Sequence, residues 1–161
     1  MRKTNIGVIG VGYWGKKIVH EYVQLSKQNP TMNLSAVCDP VENNLKCCED
    51  YTIPIMTQYH MRAHAVNICT PNESHFEICK EALEAGKHVL IEKPITLNSA
   101  EAYELVELAH KQNLVLSVGH IFRFNNALKV ARKLIRNGFL ANCFISSSIG
   151  RHSCLQLKEE T

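Results

Sequence analysis

Residues 6–19 read IGVIGVGYWGKKIV, and the organisation of the chain turns on them. An apolar run, Ile6 to Ile9, ends in Gly10, Gly12 and Gly15, and from Trp14 the spacing of large residues becomes helical. Such a run suits a buried strand. The glycines suit a tight turn whose backbone a diphosphate can approach, and the helix that follows would aim its N-terminus at that anion. Glycines in threes also arise by chance, so the segments downstream decide the matter.

Those segments alternate short apolar strands with amphipathic helices, the pattern of an α/β, Rossmann-like, doubly wound parallel sheet with helices on both faces. Strands are predicted at about Asn5–Ile9, Asn33–Cys38, Ile53–Met56, Ala65–Cys69, His88–Ile91 and Leu114–Val118. The first helix would present Trp14, Ile18, Tyr22 and Leu25 on one face, and a second would run from Val41 toward Asp50. Ser74 with Glu77 reads as a capping box for a helix that Gly86 ends. Asn98 with Glu101 caps the next, with Ala102, Leu105, Val106 and Ala109 facing inward. A further helix from about Asn126 stops at Asn137-Gly138, and Cys143 to Ile149 suggests one more strand before a polar tail. Between Met56 and Ala65 only TQYHMRAH remains, short for a parallel crossover. Either that helix has shrunk to a single turn, which we favour, or the third strand is misplaced.

In this frame the glycine turn opens a βαβ unit whose second strand ends in an acidic residue, Asp39. Its distance from Gly10 exceeds the usual spacing, which a long first helix and the loop QNPTMN can absorb. Asp39 would accept hydrogen bonds from the adenosine ribose hydroxyls and repel a ribose phosphate. VENN, after Asp39-Pro40, holds no arginine to receive one, which favours NAD over NADP. CTPNESH and IEKP then place polar turns at the carboxyl ends of the fourth and fifth strands, where open α/β sheets bind ligands. There Lys93 could polarise or protonate a substrate oxygen as hydride moves.

Composition narrows the classes further. At 161 residues, 45% apolar and 20% charged, the chain suits one soluble domain. A net charge of +3 without a basic stripe argues against nucleic acid, and the short apolar runs argue against a membrane span. MRKTNIGVIG has no cleavage-like site and reads as the first strand rather than a signal peptide. The seven cysteines, Cys38, Cys47, Cys48, Cys69, Cys79, Cys143 and Cys154, contain no CxxC pair. Adjacent Cys47 and Cys48 do not suit one ordinary metal site. Reduced thiols in a cytoplasmic protein, with no metal, are the reading favoured.

Taken in order, GVIGVGYWGKK, VCDP, ICTPNESH, GKHVLIEKP and GHIFRFN resemble the amino-terminal domain of the Gfo/Idh/MocA oxidoreductases, over about residues 4 to 140. The GYWGK variant looks most like members acting on sugars and sugar nucleotides. This resemblance implies that Gly10, Val11, Gly12, Tyr13 and Trp14 lie along the diphosphate, with Asp39 at the ribose. Cys69, Thr70, Pro71, Asn72 and His75 would border the dinucleotide and its nicotinamide end. Glu92 would orient Lys93, the candidate catalytic residue, with Pro94 shaping the turn. His120, Arg123 and Asn125 would close the nicotinamide side. For His75 and His120 packing or capping is as good a reading as direct contact.

The resemblance also marks departures. Family enzymes continue into a substrate domain that supplies an Asp and a His for proton transfer, and the tail HSCLQLKEET carries no such motif. Asn126 stands where a proline commonly follows RFN. The expected organisation is therefore a dinucleotide domain over 1–140 and a remnant of the substrate domain over 141–161. The expected function is NAD binding for a sugar-type dehydrogenase completed by a missing domain or a second chain. A non-catalytic NAD-binding or regulatory subunit is the alternative. Apolar Cys143, Phe144, Ile145 and Ile149 suggest pairing with another chain, as a homodimer or with a separate substrate-domain chain.

Overall fold

The computed structural model describes residues 3–56 and 62–137. Six strands form one parallel sheet: β1 (Thr4–Ile9), β2 (Met32–Cys38), β3 (Ile55–Met56), β4 (Ala65–Ile68), β5 (His88–Ile91) and β6 (Leu116–Val118). Their order is β3-β2-β1-β4-β5-β6. Pairing β3 in parallel with β2, Val37 opposite Ile55, puts the third strand where it was expected. The form of the crossover that leaves it lies outside the described residues, as do the expected domain boundary at 140 and the strand at Cys143.

The described residues form five α-helices: α1 (Tyr13–Gln28), α2 (Glu42–Leu45), α3 (His75–Glu84), α4 (Ser99–Lys111) and, in a second unit, α5 (Asn126–Arg136). Both sheet faces are buried, as a parallel sheet requires. Alternation along β1 shows it: Val8 packs with Val19 and Val23 of α1 and Leu45 of α2. Its neighbour Ile9 packs in the opposite cluster with Cys79 and Leu83 of α3 and Leu105 and Ala109 of α4.

Three local expectations need correction. The buried stripe of α1 is Gly15, Val19 and Val23, flanked by Ile18 and Tyr22, while Trp14 and Leu25 are exposed. The stripe is rotated by one residue because Gly15 must press against the glycine turn. In α4 the inward residues are Leu105, Leu108 and Ala109, and Val106 is exposed. Ser74 is no capping-box residue. Asn72–Ser74 already form a 3-10 turn leading into α3, so the Ser74 backbone is helical (φ −96°, ψ −3°) and its hydroxyl donates to the Pro71 carbonyl at 2.8 Å. An N-cap needs extended backbone to aim its side chain at the first turn. Asn98 has it (φ −128°, ψ 130°), and its Oδ1 accepts from the Ala100 amide at 2.8 Å.

The chain divides by packing into a first unit through His120 and a second from Ile121. In the second, a 3-10 turn at Ile121–Phe124 precedes α5, whose first amides, Ala127 and Leu128, are capped by the Asn125 side chain.

Candidate cofactor-binding site

Strand order reverses between β1 and β4, which opens a crevice at the carboxyl edge of the sheet. The turns that follow β1, β2, β4, β5 and β6 all reach that edge. One repeated device holds them in place: the sheet's hydrogen bonding continues one residue past the strands. Gly10 donates to Cys38, Cys69 to Ile9, Glu92 to Ile68 and Gly119 to Ile91, all at 2.8 to 2.9 Å.

The glycines do different jobs. Gly10 has φ +89°, and a Cβ there would stand 2.7 Å from the Cys69 carbonyl, so only glycine lets the β1 turn lie against the β4 turn. A Cβ on Gly15 would run into the Gly10 carbonyl, which pins α1 directly behind the turn. Gly12 faces open space. It also starts α1, where no side chain caps the helix and the first turn holds no acidic residue. First-turn amides and the positive end of the helix dipole are thus left available to an anion. Nearby, the buried Thr70 Oγ1 has no hydrogen-bond partner among the described residues. Open glycine backbone, an uncapped helix start and an orphaned hydroxyl fit a dinucleotide's diphosphate.

Asp39 directly follows β2 and is 5% exposed. Its Oδ2 accepts from the Val11 amide at 2.7 Å, and its Oδ1 accepts from the Val41 amide at 2.9 Å and Asn44 Nδ2 at 3.1 Å. The carboxylate therefore clasps the glycine turn to the second βα loop, a role that spacing did not disclose. Asn44 lies in the very stretch, VENN, noted only for its missing arginine.

Across the crevice the Trp14 indole Nε1 donates to Glu92 Oε1 at 2.9 Å. The aromatic side chain expected along the diphosphate thus also spans from α1 to the β5 turn. Gly119 lies flat against the same carboxylate, since a Cβ there would come within 3.3 Å of both its oxygens. Neither Gly119 nor the indole bond was legible beforehand. Lys93 is exposed, next to this fixed carboxylate, and is joined to Pro94 by a cis peptide bond. Tyr13 is exposed beside Lys17, whose ammonium lies 4.4 Å from its ring centroid.

His75 is fully buried, with Nδ1 2.7 Å from the Pro94 carbonyl and Nε2 3.0 Å from the Thr70 carbonyl. Both ring nitrogens are committed to the backbone, so His75 braces the β4 and β5 turns from behind and presents no atom to a ligand. Pro71 and Asn72 are exposed at the β4 turn. Burial, with the charge of Glu92 second, pushes the Cys69 thiol up to about 12. It stays protonated and walls the site without acting as a nucleophile. His120 is exposed at the β6 turn, its amide donating to Val118. Arg123 and Asn125 belong to the second unit, where the Asn125 side chain is engaged as a cap. No described helix is long and apolar enough to cross a membrane, and no group of three metal-ligating side chains occurs among the described residues.

Residues 4–120 match the model of an oxidoreductase family with an NAD-binding Rossmann fold, the Gfo/Idh/MocA family. UDP-N-acetylglucosamine 3-dehydrogenase of Acidithiobacillus ferrooxidans is 35% identical over 128 residues, which are 79% of this chain and 40% of that protein. A 2,7-anhydro-N-acetylneuraminate hydratase of Escherichia coli is 29% identical across 84% of this chain and 37% of its own length. Among solved structures, scyllo-inositol dehydrogenase from Lactobacillus casei, with bound NAD(H) and scyllo-inositol, superimposes with a TM-score of 0.73 at 25% identity. That match covers 86% of this chain and 42% of the other. The chain thus spans about two fifths of the length of the relatives it matches. Sheet order, glycine turn and family match agree: this chain belongs to the Gfo/Idh/MocA oxidoreductases, as their NAD-binding Rossmann domain.

Proposed function

We propose that the chain is the NAD-binding part of a dehydrogenase that moves a hydride between NAD and a hydroxyl-bearing carbon of a sugar or sugar nucleotide. The observation that carries this reading is Lys93, an exposed ammonium at the crevice beside a carboxylate fixed by Trp14. The names of the relatives, which concern an aminosugar nucleotide, an inositol and an anhydrosialic acid, support a polyhydroxylated substrate. Bound NAD would supply the hydride acceptor. This chain would supply the rest of its side of the site. Uncapped amides of α1 and the open backbone at Gly12 bind the diphosphate, with Val11 and Tyr13 alongside, and Thr70, Pro71 and Asn72 wall the nicotinamide end. Lys93 donates to the substrate oxygen and eases loss of its proton. His120 borders the nicotinamide side.

Asp39 holds a negative charge at the ribose end with Glu42 close behind in sequence and no arginine from 40 to 45. That supports NAD over NADP. Exposed Ile121, Phe122 and Phe124, with Leu128, Val130 and Leu134 of α5, support association with a second copy or a separate substrate-domain chain.

Trp14 is the only tryptophan, so energy transfer from its indole to a reduced nicotinamide reads binding directly. NADH should bind more tightly than NADPH. Equal or tighter NADPH binding overturns the ribose assignment, and binding of neither overturns the proposal. Light scattering should find a species larger than the monomer at micromolar concentration, or a monomer that pairs with an added substrate-domain chain. A monomer that pairs with neither refutes the association.

A further inference from the structure

We propose that Cys47 and Cys48 form a vicinal dithiol site for a trivalent arsenical, and that filling it loosens the Asp39 clasp. The two residues lie in the 3-10 turn Lys46–Cys48 that continues α2. Their sulfurs stand 3.7 Å apart, and both are free thiols. Cys47 is exposed, whereas Cys48 is buried in the cluster formed by Val8, Val11, Val19 and Leu45. An arsenical taken first by the exposed sulfur is therefore already beside the second.

Two soft sulfur ligands without a third define which Lewis acid fits. Metals that ask for four ligands find no further His, Cys, Asp or Glu grouped here among the described residues. An organoarsenical brings its own third substituent and needs only two thiols. Phenylarsine oxide in its hydrated form carries two As–OH groups. Each As–S bond forms as an As–O bond breaks, and each thiol proton leaves with the hydroxyl as water. Arsenic stays trivalent and neither sulfur is oxidised. Burial, reinforced by the neighbouring Cys47, pushes the Cys48 thiol up to about 12. It enters second, as a neutral thiol condensing with As–OH.

Its effect reaches the nucleotide edge through three bonds. Cys47 Sγ donates to the Asn44 carbonyl at 3.2 Å, Asn44 Nδ2 donates to Asp39 Oδ1, and Asp39 Oδ2 holds Val11 of the glycine turn. Chelation removes the thiol proton from the first of these and pulls the turn toward arsenic, so Asn44 shifts and the clasp loses a donor.

The experiment treats the full chain with phenylarsine oxide and reads intact mass, peptide mapping and NADH titration through Trp14. We expect one phenylarsenic on the peptide bearing Cys47 and Cys48, resistant to excess mercaptoethanol and released by dithiothreitol. The adduct should persist in the Cys143→Ser, Cys154→Ser double variant and vanish in Cys47→Ser, a change at an exposed position that leaves the core intact. NADH affinity should fall several-fold with the adduct and recover with dithiothreitol. An adduct that survives Cys47→Ser, or that mercaptoethanol strips, overturns the site. A chelate that leaves NADH affinity unchanged overturns its coupling to Asp39. The mass readout decides the dithiol even if no nucleotide binds, a result that would count against the proposed function alone.

Discussion

Asp39 accepts three protein hydrogen bonds besides the ribose contact proposed for it. Its position after the second strand was readable as a ribose contact, because the chain order of a βαβ unit brings that end to the glycine turn. Its three protein donors were not readable, since they depend on where Val11, Val41 and Asn44 come to lie. Asp39→Ala should therefore weaken NADH binding, relax the preference over NADPH and also destabilise the fold. Hydrogen bonds to a charged group contribute about 1.5–3 kcal/mol, so a loss of about 2 kcal/mol in urea unfolding is expected. A variant with unchanged stability would mean that the clasp is not formed in solution. Gly15 was legible because its crowding is local to one motif, where its Cβ would meet the Gly10 carbonyl. Gly119 was not, because what crowds it is Glu92, after the preceding strand and a whole helix away in the chain. Gly15→Ala should abolish NADH binding, because its Cβ collides with the Gly10 carbonyl and prises α1 from the turn. Calorimetry showing retained affinity would contradict that geometry.

Helix starts make the same point among the elements. Ser74 with Glu77 and Asn98 with Glu101 look alike on paper, yet only Asn98 caps its helix through its side chain. Backbone decides: a 3-10 turn already feeds α3, so Ser74 arrives with helical torsions, whereas Asn98 arrives extended. Asn98→Ala should cost about 1 kcal/mol, the usual worth of an N-cap, and Ser74→Ala distinctly less. Equal losses in denaturant unfolding would restore the capping box at Ser74. Strands were legible nearly to the residue, as at His88–Ile91, because a strand buried on both faces declares itself as an unbroken apolar run. Helical stripes were legible only to within one residue. Rotation about a helix axis is set by the partner surface, here the glycine turn under Gly15, and not by the stripe alone. Leu105, fully buried on α4, should cost about 2–5 kcal/mol when cut to alanine.

For the molecule as a whole, buried thiols set an alkaline limit. Burial pushes Cys38 up to about 11 and Cys48, Cys69 and Cys79 up to about 12, from an ordinary 9.0. Above about pH 9 the unfolded chain releases these protons and the folded chain keeps them, so stability falls as pH rises toward their folded values. Each thiol lowers it by at most about 1.4 kcal/mol per pH unit. The urea midpoint should drop between about pH 8 and about pH 10, and drop less in Cys79→Ala; a midpoint that holds steady would contradict it. Catalysis belongs to this scale too. The chain spans two fifths of its relatives, so alone it should produce no NADH from a panel of sugars. Steady turnover abolished by Lys93→Ala would show that this part suffices. The sheet order has a last consequence, for the path by which the protein reaches its native state. β1 lies at the centre, and its Ile6 pairs with Leu34 on one side and with Ala65 on the other. The first partner comes soon after it in the chain and the second only after three strands have been made. A nascent chain halted before β4 thus holds half a sheet with its central strand as an open margin, a surface for chaperones or for mispairing until translation delivers the residues that close it.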